Sequence, residues 1–210
     1  LHLYGNARSY YSDLYIRDCA KGILVEQNAS AVTAHANKYS NISILGCSAY
    51  GAHWSTGSFD SEVNNLWIGS CAVGMRVESG ENSFVTLHWW GSTANGGEIR
   101  GSNNRITNAY IESNGANGLD ILNSSDNAIV GCELYANITD GAQINGTSVR
   151  NRFIGTVGGA NGQSGFRLVA GDYNIFNGCT AVGNASNNQL YGIRLLSGTK
   201  NIVSGCVART

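Results

Sequence analysis

Glu98 and Asp120 stand 22 residues apart in a chain whose strand-like runs recur at that same interval. On neighbouring parallel strands their Cα atoms would lie about 4.8 Å apart. Two carboxylates that close cannot both ionise without cost, so one pKa rises unless a cation compensates. Such a pair suits glycoside hydrolysis, one member as general acid and the other as nucleophile; roughly 5 Å between the carboxyls favours retention. Glu78 and Asp120, two intervals apart, leave room for an attacking water and favour inversion. Arg76 and Arg100 fall on the same patch as substrate-binding candidates. A plainer reading stands beside this one: opposite charges on adjacent strands pair across a ladder at a few tenths of a kcal/mol each.

Aromatic residues add a second set of candidates. Leu87-His88-Trp89-Trp90-Gly91 puts three rings in succession, so at least one faces outward. Trp67 also points out, beside inward Leu66 and Ile68, whereas Trp54 alternates inward. His88, Trp89, Trp90 and Trp67 are therefore candidate sugar contacts, since flat rings with a polar edge suit saccharides. The same rings also suit subunit contact or plain packing. His88, near Glu98 in sequence, is a candidate general base for a lyase that removes the proton α to a uronate carboxyl.

The elements that must carry these residues come from a repeat. Asn82, Asn104, Asn127, Asn151, Asn174 and Asn201 each open a short apolar run, at spacings of 22, 23, 24, 23 and 27. In phase with them run segments that open on a small residue, such as Gly22-Ile23-Leu24-Val25, Gly51-Ala52-His53-Trp54, Gly74-Met75-Arg76-Val77, Gly118-Leu119-Asp120-Ile121 and Gly165-Phe166-Arg167-Leu168. Alternation over short runs bounded by Gly, Asn and Ser predicts half-buried strands. With no helical pattern, the repeat predicts an all-β fold: a right-handed, single-stranded parallel β-helix (a solenoid) of about eight to nine coils, 22–28 residues each, as one domain over residues 1–210. Alternation then puts Leu24, His53, Arg76, Glu98, Asp120, Gln143, Arg167 and Arg194 in one outward column. Glu26, Ser55, Glu78, Arg100, Leu122, Asn145, Val169 and Leu196 lie two residues further along each strand.

Composition agrees. The chain has 210 residues, 42% apolar, with 28 glycines, no proline, about two dozen asparagines and only 13% charged residues. A strand ladder disfavours proline, which lacks the N–H donor. Asparagine suits turns because it tolerates the left-handed region, and stacked asparagines bond along the axis. So little charge argues against a helical bundle, a net charge of −1 against nucleic acid, and the lack of a long apolar run against membrane insertion. The six cysteines have no C-x-x-C spacing, so no metal site or cofactor is expected. Instead Cys19, Cys47 and Cys71 should form one buried column and Cys132, Cys179 and Cys206 another, because their distance to the following strand differs. A different face should thus carry the strong strand in the first three coils. The start at Leu1, without a signal-like segment, reads as a piece of a longer chain.

The segments Asn65-Leu66-Trp67-Ile68-Gly69-Ser70-Cys71-Ala72-Val73-Gly74-Met75-Arg76-Val77-Glu78 and Asp13-Leu14-Tyr15-Ile16-Arg17-Asp18-Cys19-Ala20-Lys21-Gly22-Ile23-Leu24-Val25-Glu26 resemble the pectate-lyase-like right-handed β-helix superfamily, most of all the β-helical trunk of bacteriophage tailspikes. The resemblance spans the chain in repeat style. It implies a homotrimer on the virion tail that binds or cleaves bacterial surface polysaccharide, capsule or O-antigen. The Asn-Thr-Asp, Asp-Asp and Gly-His-Gly motifs of polygalacturonase-type members are absent. Two other readings stay open: a secreted bacterial lyase, hydrolase or epimerase of this fold, and a non-catalytic shaft or adhesin.

Overall fold

The computed structural model describes residues 1–5, 7–27, 34–183 and 189–209. Among them the regular elements are β-strands, and the strand pairs are parallel. One sheet has nine strands whose spatial order is their chain order: His2–Tyr4, Lys21–Glu26, Tyr50–Trp54, Val73–Val77, Gly97–Ile99, Leu119–Leu122, Ala142–Asn145, Ser164–Leu168 and Tyr191–Leu195. Each coil therefore lies directly on the one before. Partners are between 22 residues apart (Glu98 and Asp120) and 29 (Leu24 and His53). This sheet is the first face of the coil.

The other large sheet wraps the rest. Its first five strands run eight residues each, Tyr10–Arg17, Lys38–Leu45, Glu62–Gly69, Ser83–Trp90 and Arg105–Glu112; the next four coils each carry two three-residue strands instead, beginning with Ala128–Val130 and Glu133–Tyr135. A residue of positive φ bends every one of these runs: Asp13, Asn41, Asn65, Thr86 and Asn108 in the long strands, Gly131, Gly155, Gly178 and Gly205 in the later gaps. The bend divides the sheet into a second and a third face. The strong strand thus extends through five coils rather than three, and it weakens where glycine replaces Asx at the bend.

Two further columns of positive φ mark the other corners. One holds Glu81, Asn103, Asp126, Arg150, Tyr173 and Lys200, each just before a repeat asparagine. The other holds Asp18, Gly46, Ser70, Gly91, Ser113, Ala136 and Ala160. A left-handed residue turns the chain but misaligns the next backbone N–H, and the buried ladder repairs that. Along the first corner each asparagine Oδ1 accepts the backbone N–H of its counterpart one coil below, at 2.8–3.1 Å from Asn82 to Asn201. A second ladder follows the last corner, in which Ser92, Asn114, Asn137 and Asn161 donate to Asn114, Asn137, Asn161 and Gln189 at 3.0–3.2 Å. The Cys19, Cys47 and Cys71 stack is the lower end of that second column, with the Cys19 and Cys47 sulfurs 3.2 Å apart. Cys132, Cys179 and Cys206 line the second bend, with Thr156 between the first two.

Inward side chains fill the interior of the coil. On the first face Ile23, Val25, Ala52, Trp54, Met75, Val77, Ile99, Leu119, Ile121, Ile144, Phe166 and Leu168 are buried. On the second, Tyr39, Val63, Phe84, Ile106, Ile129, Phe153 and Phe176 stack in one line. Trp89 belongs to this core, filling the space that Gly97 leaves: a Cβ at 97 would fall 2.5 Å from its Cζ3.

All six cysteines are free thiols. Burial raises Cys47 and Cys71, and it raises Cys19, Cys132 and Cys179 each to about 11. Because the thiolate is the reactive form, the folded chain will react slowly with Ellman's reagent at mildly alkaline pH, the partly exposed Cys19 and Cys206 before the four buried thiols. Unfolding will release all six, and rapid titration of Cys132 in the native state would contradict this packing.

Candidate functional site

The outward column of the first face has the register that alternation predicts: His53 pairs with Arg76, Arg76 with Glu98, Glu98 with Asp120, Asp120 with Gln143 and Gln143 with Arg167. Glu78 and Arg100 follow two residues along their strands, their N–H groups bonded to Trp54 and Val77 of the coils below. Short rungs bring these groups into one chain of contacts. His53 Nε2 lies 3.0 Å from Glu78 Oε2, and Glu78 Oε1 lies 2.8 Å from Arg76 Nε. Arg76 Nη1 donates to the Tyr50 hydroxyl at 2.6 Å. Glu98 Oε2 sits between Arg76 Nε at 3.8 Å and Arg100 Nη2 at 3.6 Å, while Asn95 donates to its Oε1 at 3.1 Å. Arg100 Nη2 then reaches Asp120 Oδ2 at 3.2 Å, and Gln143 Nε2 donates to Asp120 Oδ1 at 3.3 Å.

The column faces outward, yet Glu98 keeps only 9% of its surface and Asp120 7%. Their long, paired neighbours cover them. Glu78, Arg76 and Arg100 remain half-buried, and Glu78 and Arg100 line a cleft of about 400 Å³ with Phe59, Thr56, Glu81 and Asn103.

These surroundings separate the carboxyls. Burial pushes Asp120 above the usual carboxylate range, against the Arg100 charge and the Gln143 hydrogen bond. Burial would raise Glu78 too, but the His53 hydrogen bond and the Arg76 charge outweigh it and hold that carboxyl low. Burial lowers His53, more than Glu78 raises it; the ring is therefore a neutral imidazole at neutral pH. Its Nδ1 is buried without a hydrogen-bond partner.

The remaining sequence candidates lie elsewhere. Trp67, His88 and Trp90 sit on the third face, where His88 Nε2 bonds to Glu112 Oε1 at 3.0 Å and not to Glu98. His88 is near Glu98 in sequence only: the last corner of the coil separates them. Trp89 is corrected, since it has no exposed surface and cannot touch a saccharide. Sequence reasoning placed His53 and Gln143 in the outward column without a role and passed over Tyr50 and Asn95. Tyr50 alone carried a signal, three residues before His53 at the start of the same strand. Among the described residues no group of three or more His, Cys, Asp or Glu is gathered as a metal site would need.

A coil with parallel rungs, asparagine-laddered corners and a side-chain column along each face defines a right-handed β-helix, and the chain belongs to that family: the profile described as "Right handed beta helix region" matches residues 54–208. Among solved structures it is similar to the A-module of the mannuronan C-5 epimerase AlgE4 of Azotobacter vinelandii, with a TM-score of 0.66 and 14% identity over 84% of this chain. It is also similar to the AlgE6 A-module of the same organism (0.65, 16%, over 94%) and to the full-length tailspike protein 2 from Escherichia coli O157:H7 bacteriophage CAB120 (0.61, 12%, over 95%). At such identities the likeness is one of fold. The chain spans 62%, 58% and 35% of those three structures. No curated protein matches it in sequence.

Proposed function

We propose that this chain is the β-helical trunk of a bacteriophage tailspike, a homotrimer on the virion tail that binds bacterial capsule or O-antigen and depolymerises it at the first-face cluster. The observation that carries the chemistry is the split between two carboxyls flanking Arg100. Glu78 is held ionised at the edge of the cleft, and Asp120 is held toward its protonated form. Opposed pKa shifts of this kind mark a base and an acid. Glu78 draws the proton from a water at the anomeric carbon; Asp120 protonates the departing glycosidic oxygen, and Arg100 stabilises the carboxylate left behind. Two rungs along the axis and two residues along the strand, roughly 12 Å between backbone positions, leave space for that water and predict inversion. The similarity in fold to a tailspike supports the trunk reading. Among the described residues no helix is long and apolar enough to cross a membrane.

A second reading has its own observation. His53 is neutral and held through Nε2 by Glu78, and its ring lies 5.0 Å from that of Tyr50, whose hydroxyl accepts from Arg76. A base, a hydroxyl and a guanidinium together suit proton abstraction α to a uronate carboxyl, the first step of a lyase or epimerase. The similarity in fold to two mannuronan epimerases supports that alternative. Incubation with purified capsule or O-antigen separates the two. New reducing ends without ultraviolet absorbance indicate hydrolysis, a 4,5-unsaturated uronate indicates elimination, and neither product overturns the depolymerase reading.

A further inference from the structure

The third face carries a second arrangement that the first-face chemistry does not use. Two outward columns run side by side along the axis. One reads Trp67, His88, Tyr110, Glu133; the other reads Gly69, Trp90, Glu112, Tyr135, Gly159. The second column is symmetrical in kind. At its lower end the Trp90 indole lies across Gly69, where a Cβ would fall 2.4 Å from ring carbons Cε2 and Cζ2. At its upper end the Tyr135 ring occupies the space a side chain at Gly159 would need, 2.8 Å from that Cβ position. Each ring is thus seated on bare backbone. The two seats are four rungs, or about 19 Å, apart along the axis.

Between the seats stand polar groups. Glu112 Oε1 accepts a hydrogen bond from His88 Nε2 at 3.0 Å, and the His88 ring is tilted against Trp90 and Tyr110 at centroid distances of 4.7 and 5.2 Å. Trp67, 47% exposed, meets His88 and Trp90 edge to face. A depression of about 270 Å³, lined by Asn108, Ala109, Tyr110, Gly131 and Glu133, opens beside Tyr110. Rings at both ends with carboxylate, imidazole and phenol between them form a surface for an elongated ligand with apolar faces and many hydroxyls.

We infer that this belt is a saccharide-binding site separate from the first-face cluster, and that it takes an uncharged glycan segment of several sugars laid along the axis. The inference rests on the reading of the chain as a polysaccharide-binding protein. Charge selects the occupant. Neither column carries an arginine or lysine between Trp67 and Gly159, whereas Glu112 and Glu133 stand in its middle. A uronate would be repelled; hydroxyls and acetamido groups meet good acceptors. A second copy packed face to face would set the same carboxylates against their counterparts.

Tryptophan fluorescence reads this belt selectively, because Trp54 and Trp89 are wholly buried while Trp67 and Trp90 lie in it. The full chain is titrated with cellotetraose, maltotetraose, chitotetraose and tetragalacturonate. At least one neutral tetramer should quench the emission, and tetragalacturonate should bind more weakly than it. Tyr135→Ala should raise the Kd about tenfold while the chain stays folded by circular dichroism at the titration temperature. Glu78→Gln, on the other face, should leave that Kd as it is. The inference is overturned if no neutral tetramer quenches, if the uronate binds tightest, or if Tyr135→Ala and Trp67→Ala alter sedimentation but not saccharide affinity, which marks the face as a subunit contact. Polysaccharide degradation that depends on Glu78 but is accompanied by no quenching would sink the belt and leave the first-face reading intact.

Discussion

Replacing Asn127 with alanine lowers stability by about 3 kcal/mol, a large loss for a single polar side chain. Its Oδ1 accepts the backbone N–H of Asn104 at 2.9 Å, and its Nδ2 donates to Ser124 Oγ at 3.2 Å and Asn151 Oδ1 at 2.9 Å. The residue is wholly buried, so no water replaces these bonds. Stranding one buried N–H costs about 1–3 kcal/mol, and two weakened acceptors add to it. For a chain of this size that is roughly 6–12 °C in Tm. Asn41 is the matching control. It is exposed, bonds to Asp13 and Asn65 on the surface, and adopts positive φ. Asn41→Gly should stay within about 0.5 kcal/mol of the parent, since later coils place glycine at that same bend. Urea unfolding measures both, and a loss below 1 kcal/mol for Asn127→Ala would mean the ladder is decoration.

The second large effect is on turnover. Glu78→Gln should reduce depolymerisation about 10²–10⁴-fold, the range for losing a general base. It does so under either mechanism, because Glu78 is the base in one and orients His53 in the other. Asp120→Asn and His53→Ala discriminate. Under hydrolysis the first produces a comparable loss and the second a small one; under elimination the order reverses. The pH profile follows from the shifts. The rate falls on the acid side as Glu78, held low, takes up a proton, and on the alkaline side as Asp120, held high, loses its own. In Asp120→Asn the residual activity should lose its alkaline limb. If Glu78→Gln and Asp120→Asn both retain full activity, the assignment to this cluster is wrong.

The coil and its outward column were legible because both depend on strict local rules. Alternation sets which side chains face out, and the glycine phase sets which rungs neighbour, so His53, Arg76, Glu98, Asp120 and Gln143 align as read. Coverage was not legible. Whether Glu98 and Asp120 see solvent depends on the reach of Arg76, Arg100 and Asn95 across coils, which no spacing encodes. Trp89 failed for another reason. The left-handed Thr86 inserts one residue between inward Phe84 and inward Leu87 and shifts the alternation by one. The second amide ladder escaped notice because its column changes residue type, from cysteine through Ser92 to Asn114, Asn137, Asn161 and Gln189, while the turn it repairs stays the same.

In this coil the hydrogen bonds between rungs point along the rod, and each coil touches only its two neighbours. Mechanically the rungs are springs in series. Under tension every interface carries the full force, and the weakest yields first without sharing the strain. Compression closes the same interfaces onto packed side chains, which resist like an organic crystal. The molecule is therefore a strut rather than a tether: stiff when pushed end-on, and peeled coil by coil when pulled.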